Sequence, residues 1–241
     1  MRSIFGVPVE GWSMKEAIRQ IDLGQAKWFV TANPEILLAA RRLPSYQHVL
    51  RRADARLVDG IGLWLVTGGR TSRVTGVEFA ERLLQHAQEK EWRVGLFGGQ
   101  HGEAKASLPD IIRAYPQLEI HAEEGGLVHQ MGDEDQRTQE ARERMMHFQP
   151  QVLLVAMGHP KQEMWIAQHL SEFSSLRVVV GVGGTFNFWS GRSRRAPHFL
   201  RVMGLEWLWR LMTEPVRWRR ILDAVFVFPA FVLFDKIKKL G

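Results

Sequence analysis

The stretch QVLLVAMGHPKQEMWIAQHL, residues 151–170, joins an apolar run to a polar turn and then to a helical pattern. The run Gln151–Met157 has the composition and length of a buried strand. After the turn Gly158–Glu163, apolar residues in Lys161–Leu170 recur at three- and four-residue spacing, which is typical of a helix packed on one face. A strand followed by a covering helix is part of a βαβ unit, so this stretch predicts an α/β fold.

The same alternation extends along the chain in both directions. Five further apolar runs are predicted as strands: Lys27–Thr31, Ala55–Val58, Arg93–Phe97, Leu118–His121 and Arg177–Val182. Three further stretches show helical spacing: Val77–Lys90, Glu103–Tyr115 and Asp135–Phe148. Strands that alternate with helices predict a Rossmann-like parallel sheet with crossover helices.

Glycine-rich or polar turns follow five of the predicted strands. These turns are Thr31–Glu35, Asp59–Gly62, Gly98–Gly102, Gly158–Glu163 and Gly181–Asn187. In an open parallel sheet, ligands bind outside the carboxyl ends of the strands, where backbone amides and helix N-termini converge. We therefore expect the functional site at this edge of the sheet.

Positive charge is concentrated at the end of the chain. Residues 192–241 contain eleven Lys and Arg against four acidic residues, a net +7, whereas residues 1–191 carry −1. Composition first shifts at Ser190–Pro197, a Gly-, Ser-, Arg- and Pro-containing stretch. We predict an α/β domain over residues 1–191 and a basic helical appendage over residues 192–241, with an anionic partner such as lipid headgroups, a diphosphate or nucleic acid.

The composition excludes several classes of protein. The chain has no cysteine, which rules out disulfides, Cys-based zinc sites, Fe–S clusters and a thiol nucleophile. Its N-terminus has no apolar signal core, so we expect a cytoplasmic location. The apolar run Ile221–Phe234 contains Asp223 and Pro229 and is shorter than the ~20 residues that span a bilayer.

Eight short strings, taken in order, suggest a family. GxGxxG, Walker, HExxH and GxSxG motifs are absent. The strings TANPE, DGIG, RVTG, LFGG, MGHPKQE, GVGGTFNFWSG, RRAP and GLEWLWRL resemble the WecG/TagA/CpsF glycosyltransferases, glycosyltransferase family 26, from about Val30 to Arg220. The strings PKQE, GVGGTF and RAP with GLEW are the specific ones.

The resemblance implies an activity. It is the inverting, metal-independent transfer of N-acetylmannosamine from its UDP-sugar to undecaprenyl-diphosphate-linked N-acetylglucosamine, as in teichoic acid or other surface polysaccharide synthesis. No cofactor is implied, and the location implied is peripheral on the inner face of the cell membrane. A different donor, UDP-N-acetylmannosaminuronic acid or UDP-glucose, is the first alternative.

Asp59 is the candidate catalytic base, because inverting transfer needs a group that takes a proton from the acceptor hydroxyl. It follows an apolar strand and precedes Gly60 and Gly62, where a sugar can approach the backbone closely. The alternative is that Asp59 caps the next helix. Viewed alone, a strand-end aspartate favours the cap, and the family resemblance favours the base.

Four further residues are candidates for the catalytic site. Thr31 and Asn33 end another predicted strand, where they can hold sugar hydroxyls or cap the helix that Pro34 opens. The resemblance assigns Arg73 and Gln162 to the pocket, where the arginine can bind phosphate and the amide can contact sugar hydroxyls. A solvated surface charge is the alternative for Arg73.

Six glycines are candidate substrate-binding residues because they let backbone N–H groups face a diphosphate. They are Gly98, Gly99, Gly158, Gly181, Gly183 and Gly184. Turn geometry alone is an equal alternative for each.

We predict no metal site. Asp133-Glu-Asp135 matches the DxD pattern of metal-dependent transferases, but it lies in a polar turn that opens a helix, where carboxylates favour the helix dipole. The nine histidines show no metal-ligand spacing.

The C-terminal arginines are candidates for binding the acceptor diphosphate. If residues 204–220 are broadly helical, Arg210, Arg217 and Arg220 share one face, and the resemblance assigns them this task. Three tryptophans, Trp207, Trp209 and Trp218, fit an interfacial belt, with Val225–Phe234 dipping into the headgroups. A packed helix pair with a solvated arginine face is the alternative.

Two other functions remain open at this stage: a basic-tailed nucleic-acid-binding module, which we do not favour, and a scaffold that binds nucleotide-sugars without turnover. The family contains oligomers, so a homo-oligomer is possible. Asn187 stands where we expect aspartate in many relatives, which puts a charge-dependent role at that position in doubt.

Overall fold

A computed structural model describes residues 2–69, 71–100 and 102–238. Eight strands form within these ranges, and they are short. They are β1 (Arg2–Ile4), β2 (Val7–Val9), β3 (Lys27–Ala32), β4 (Ala55–Val58), β5 (Val94–Gly98), β6 (Ile120–Glu123), β7 (Val152–Ala156) and β8 (Val178–Gly181). Strands β3 to β8 match the six predicted runs to within two residues at each end, so the strand predictions are confirmed.

These six strands form one sheet in the order β4-β3-β8-β7-β5-β6, and every neighbouring pair is parallel. Strands β1 and β2 form a separate antiparallel hairpin. The predicted parallel sheet is therefore confirmed, and its last two strands in sequence lie at its centre.

Thirteen α-helices connect or follow the strands in the described ranges. They are α1 (Met14–Asp22), α2 (Pro34–Arg42), α3 (Pro44–Arg52), α4 (Ile61–Val66), α5 (Gly76–Glu89), α6 (Glu103–Ala114), α7 (Gln136–Phe148), α8 (Lys161–His169), α9 (Thr185–Trp189), α10 (His198–Val202), α11 (Glu206–Thr213), α12 (Trp218–Leu222) and α13 (Phe228–Lys238). Two 3₁₀ turns, Leu170–Glu172 and Pro215–Arg217, and a π-helical segment, Asp223–Val227, complete the helical structure. The four predicted helices correspond to α5, α6, α7 and α8.

The sheet separates two apolar cores, because successive side chains of a strand point to opposite faces. Trp28, Val30 and Ala32 of β3 join the first core, whereas Phe29 joins the second. Helices α2, α3, α7, α8 and α13 cover the first face, and α1, α5, α6 and α9 cover the other. The result is a three-layer α/β/α arrangement, which holds the strand ends in fixed positions.

A buried ion pair attaches the N-terminal hairpin to the sheet. Arg56 of β4 is 3% exposed, and its guanidinium donates to the Glu10 carboxylate and to the carbonyl oxygens of Pro8 and Ala53. Charges this deep are tolerated only when they are paired and hydrogen-bonded, as here. The hairpin therefore extends the structure beyond the β4 edge.

The C-terminal segment, residues 192–238, is not one continuous helix. Helix α11 ends at Thr213, Glu214 has non-helical backbone angles (φ −131°, ψ 66°), and Pro215 opens a 3₁₀ turn before α12 begins. The condition under which Arg210, Arg217 and Arg220 would share a helix face is therefore not met, because a proline cannot continue the helix.

The segment nevertheless packs against the α/β body. Phe228 is fully buried and Val232 is 7% exposed in the first core, and Phe228 meets the Phe5 ring edge-on at 5.8 Å. The boundary between residues 191 and 192 stays a prediction. None of the described helices is both long and apolar enough to cross a membrane.

Candidate active site

The carboxyl ends of β3, β4 and β8 meet at one point of the sheet edge. The Thr31 hydroxyl donates to the carbonyl oxygen of Gly181 at 3.3 Å, which joins β3 to β8. The Asp59 backbone N–H donates to the carbonyl oxygen of Ala32 at 2.8 Å, which joins the end of β4 to β3. Three of the predicted site turns are thus adjacent.

Asp59 points its carboxylate at the start of α5. Its Oδ2 accepts the backbone N–H of Gly76 at 3.1 Å. The residue that caps the helix after Asp59, α4, is Gly60, and that cap has no side-chain hydrogen bond. Asp59 therefore does not cap the helix that follows it in the chain; its carboxylate accepts the first N–H of α5 instead, and its role as the base stays a prediction.

Gly76 contacts the candidate site, and the sequence reasoning did not single it out, although the RVTG string contains it. A Cβ at Gly76 would lie 3.1 Å from Thr31 Oγ1 and 3.6 Å from Asp59 Oδ2. Glycine therefore lets the N-terminus of α5 approach both side chains closely.

The Asp59 carboxyl group is poised to exchange protons near neutral pH. The residue as a whole is half-buried, and desolvation of its carboxyl group by the surrounding protein raises its pKa to about 7. The Gly76 N–H and Arg210 oppose the shift, whereas Glu206 and Glu78 add to it. A carboxylate with this pKa suits general base catalysis, because it is partly ionised and basic enough to take a proton.

Asn33 caps helix α2. Its Oδ1 accepts the Ile36 backbone N–H at 2.9 Å, and Pro34 is the first residue of the helix. The cap fixes the side chain beside Thr31, so capping and a role in the site are compatible.

Gln162 is 3% exposed and is hydrogen-bonded at both ends of its amide. Nε2 donates to Glu163 Oε1 at 2.6 Å, and Oε1 accepts the Gly183 backbone N–H at 3.1 Å. The second oxygen of Glu163 accepts the Tyr46 hydroxyl at 2.8 Å. The structure thus places Gln162 under the turn that follows β8.

The six candidate glycines divide into two groups. A Cβ at Gly98, Gly99 or Gly181 would meet neighbouring atoms, for example Ala156 O at 3.0 Å from Gly98, so these three glycines allow close packing. A Cβ at Gly158, Gly183 or Gly184 would meet no atom within 4 Å. Space for a ligand therefore lies beside the second group, and nucleotide contact stays a prediction for all six.

Arg73 lies against the C-terminal segment. Its guanidinium donates to the carbonyl oxygen of Arg201, in α10, at 2.7 Å. It is therefore not a freely solvated surface charge. Its role in binding phosphate stays a prediction.

Two of the three candidate C-terminal arginines, Arg210 and Arg220, are paired with carboxylates. Arg210 Nη2 lies 3.1 Å from Glu206 Oε1, and its guanidinium carbon lies 5.2 Å from the centre of the Phe188 ring. Arg220 Nε donates to Glu35 Oε2 at 2.8 Å. Arg217 lies in the 3₁₀ turn, and its side chain is outside the described part of the chain.

Glu35 of the TANPE string also faces His159, whose Nε2 lies 3.6 Å from Glu35 Oε2. Burial lowers the pKa of His159, an effect that Arg220 reinforces and Glu35 opposes. The sequence reasoning did not identify Glu35, because its partners are remote in the chain.

Asn187 contacts the Glu103 carboxylate, which a negatively charged residue at this position would repel. With its amide nitrogen turned toward Glu103, that nitrogen lies 2.8 and 2.6 Å from the two carboxylate oxygens. An aspartate at this position would bring two carboxylates together. Asparagine is therefore the residue that suits Glu103.

The acidic pattern Asp133-Glu-Asp135 has a structural role. Asp135 caps α7 by accepting the Thr138 N–H at 2.9 Å, and hydrogen bonds from Thr138 and Leu127 lower its pKa. Across the described ranges, no group of three or more His, Cys, Asp or Glu side chains is arranged to hold a metal ion.

The structure is a Rossmann-like α/β fold with a carboxylate, that of Asp59, at the point where the ends of β3, β4 and β8 meet. Comparison with protein families matches residues 2–240 to the family described as "Glycosyl transferase WecG/TagA/CpsF family". The chain therefore belongs to the WecG/TagA/CpsF family of glycosyltransferases.

Three curated relatives carry the same name, N-acetylglucosaminyldiphosphoundecaprenol N-acetyl-beta-D-mannosaminyltransferase. The protein of Bacillus spizizenii is 36% identical over 207 residues, 84% of this chain and 77% of the relative. That of Bacillus subtilis is 34% identical over 197 residues, 80% and 74% of the two chains. That of Staphylococcus aureus strain MRSA252 is 28% identical over 250 aligned positions, 98% and 94%.

Proposed function

We propose that this protein transfers N-acetylmannosamine from UDP-N-acetylmannosamine to undecaprenyl-diphosphate-linked N-acetylglucosamine, with inversion at the anomeric carbon. The observation that carries the proposal is Asp59, whose pKa is raised to about 7 where the ends of β3, β4 and β8 meet. The names of the curated relatives support this donor sugar and this acceptor.

In the proposed reaction, Asp59 takes the proton of the acceptor hydroxyl as its oxygen attacks the anomeric carbon of the donor. The new C–O bond forms on the face opposite UDP, and the bond between the sugar and the diphosphate breaks. UDP leaves with the electron pair of that bond. Open backbone at Gly158, Gly183 and Gly184 provides room and N–H donors for a negatively charged diphosphate.

We also propose that the C-terminal segment brings the enzyme to the membrane surface that holds its acceptor. The segment exposes large apolar side chains beside its basic residues: Phe199, Val202, Met203, Met212, Val216, Trp218, Phe226, Leu233, Phe234 and Ile237. Exposed apolar surface flanked by cations suits an anionic bilayer interface. This combination favours lipid over nucleic acid, because a nucleic-acid surface would not need the aliphatic side chains. A location on the inner face of the cell membrane follows from the proposed acceptor.

The decisive experiment incubates purified protein with lipid-linked N-acetylglucosamine and a panel of UDP-sugars, and follows the product by mass spectrometry. We expect a mass increase of one N-acetylhexosamine with UDP-N-acetylmannosamine and a β-linkage by NMR. Turnover with the uronic acid or glucose donor alone would replace the proposed donor. Absence of turnover with every UDP-sugar would overturn the enzyme proposal.

A further inference from the structure

Glu163 is a buried carboxylate with no cationic partner among the described residues. It is 0% exposed, and its side-chain partners are the Tyr46 hydroxyl and the Gln162 amide. Burying a carboxylate without a counter-ion is unfavourable, and an apolar side chain of similar size would suit the core better. Stability therefore does not explain Glu163, and its hydrogen bonds suggest another role.

The carboxylate determines which way the Gln162 amide faces. The two ends of a glutamine amide have nearly the same shape, so hydrogen-bond partners decide their orientation. Ionised Glu163 only accepts hydrogen bonds, so it selects the Gln162 nitrogen, and Tyr46 supplies the donor for its second oxygen. The Gln162 oxygen is then left to accept the Gly183 N–H.

This chain of contacts ends at the proposed donor site. Gly183 has a φ of +50° and, like Gly184, adjoins open space. Gly181, two residues earlier, accepts the Thr31 hydroxyl. A Cβ at Gly181 would collide with the Gln162 amide and lie 2.9 Å from Glu163 Oε1, so this arrangement requires glycine there.

We propose that Glu163 is a positioning residue: with Tyr46, it orients the Gln162 amide and thereby holds the Gly183 turn in the shape that binds the sugar nucleotide. The role rests on the proposed function, because the ligand of the turn is the UDP-sugar donor. Glu163 touches no substrate in this proposal, and it acts through Gln162.

The ionised form of Glu163 is the one that positions Gln162, so binding depends on pH. Desolvation raises its pKa to about 7, against the hydrogen bonds from Gln162 and Tyr46. From α3, Tyr46 faces it, and burial raises the pKa of that hydroxyl well above its ordinary value, so Tyr46 stays a donor. Arg52 of the same helix donates to the Ala167 carbonyl and not to Glu163. Strand β8, which packs against α8, contains only valines and Gly181 and so has no titratable side chain.

The test compares full-length wild type with three variants: Glu163→Leu, Glu163→Gln and Tyr46→Phe. Hydrogen exchange of the Gly183 amide in ligand-free protein measures positioning, and calorimetric binding of UDP-N-acetylmannosamine, whose phosphates do not titrate near pH 7, measures its consequence. For Glu163→Leu we expect loss of Gly183 protection and about tenfold weaker binding, as loss of a hydrogen bond to a charged group predicts.

The other variants separate positioning from a merely structural role. Wild-type binding should weaken below about pH 7, whereas Glu163→Gln, which keeps an acceptor, should recover part of the affinity and lose the pH dependence. Tyr46→Phe removes a donor to the carboxylate, so the pH midpoint of binding should rise. Asp59→Asn should retain the wild-type pH dependence of binding.

Unchanged Gly183 protection in Glu163→Leu overturns the positioning role, whatever the binding result. If Glu163→Leu loses Gly183 protection but wild type binds no UDP-sugar, the positioning of the turn is upheld and the proposed function is overturned.

Discussion

The edge of the sheet and the C-terminal segment hold their charged groups in opposite ways. At the edge, Asp59 and Glu163 are surrounded by backbone N–H, hydroxyl and amide groups, and desolvation raises both pKa values to about 7. In the segment, Arg220 is 55% exposed and is paired with the Glu35 carboxylate. Ion pairs at the surface are weak and exchange partners readily, whereas buried carboxylates respond strongly to small changes. The comparison supports the proposal that the reaction takes place at the sheet edge and that the segment supplies exchangeable cations.

The largest expected effect is that of Asp59→Asn. Asparagine keeps the shape but cannot take a proton, so we expect turnover to fall by roughly 10²–10⁴-fold while UDP binding is retained. Turnover is measured by mass spectrometry and binding by calorimetry. Asp133→Asn, an exposed position in the loop before α7, is the matched control and should be fully active. Comparable activity in Asp59→Asn would move the base elsewhere.

The pH dependence of stability tests the other buried carboxylate. Desolvation raises the pKa of Glu163 from 4.5 to about 7, so folded protein retains its proton over a range where unfolded protein has lost it. The protonated Glu163 thus favours the folded state relative to the ionised one. This contribution to the free energy of unfolding is fully present below about pH 4.5 and is lost as pH rises through about 7. It amounts to about 3 kcal/mol, to order of magnitude.

Urea unfolding of wild type and Glu163→Leu between pH 4.5 and 8 measures this term, since the contribution of Asp59 is common to both. Wild type should lose stability relative to the variant as pH rises. Parallel curves would show that Glu163 is not desolvated to this degree.

An intermediate effect is expected for the exposed aromatic residues of the segment. Phe226 and Phe234 are 65% and 60% exposed, and serine at each should weaken binding to anionic liposomes by roughly tenfold, for a loss of about 1.5 kcal/mol of apolar burial. Flotation measures binding, and Leu23→Ser on the body, where Leu23 is 65% exposed, is the control. Equal effects at all three positions would refute a membrane face in the segment. Tighter binding to oligonucleotides than to liposomes would support the nucleic-acid alternative.

The smallest effect on stability is expected for the pair of Glu35 and Arg220. Glu35→Gln should change the free energy of unfolding by less than ~1 kcal/mol, because the pair is partly exposed. Arg220→Gln should be equally mild in urea but should raise KM for the lipid-linked acceptor. If Glu35→Gln raises that KM as much, the pair acts as a unit and Arg220 is not an exchangeable cation.

The sheet could be predicted from the sequence because buried parallel strands are nearly continuous apolar runs. The turn residues Thr31, Asn33 and Asp59 followed from those strands. The N-terminal hairpin was missed, since its strands have three residues each and its attachment relies on Arg56 and Glu10. Such short strands carry no periodicity that separates them from loops.

The other contacts of the candidate site could not be predicted, because they join residues that are remote in the chain. Gly76 lies 17 residues from Asp59, and Tyr46 lies 117 residues from Glu163, so no local pattern connects them. The interruption after α11 did have a signal, because Pro215 stands inside the stretch whose arginine spacing suggested one helix. The three-residue spacing of arginines was weaker evidence than the proline.

The position of β7 and β8 in the sheet has a consequence for how the chain acquires its shape. These two strands join β3 to β5, so the first 150 residues contain only two separate strand pairs of the six-stranded sheet, β4 with β3 and β5 with β6. A ribosome must therefore release residues 152–181 before the sheet becomes continuous, and until then the inner edges of β3 and β5 lack their hydrogen-bond partners. The central contacts are also among the most distant in sequence, as β3 pairs with β8, which makes their closure slow relative to local helix formation. Assembly of this protein is thus a late event in its synthesis, and the nascent chain is most exposed to aggregation immediately before its central strands emerge.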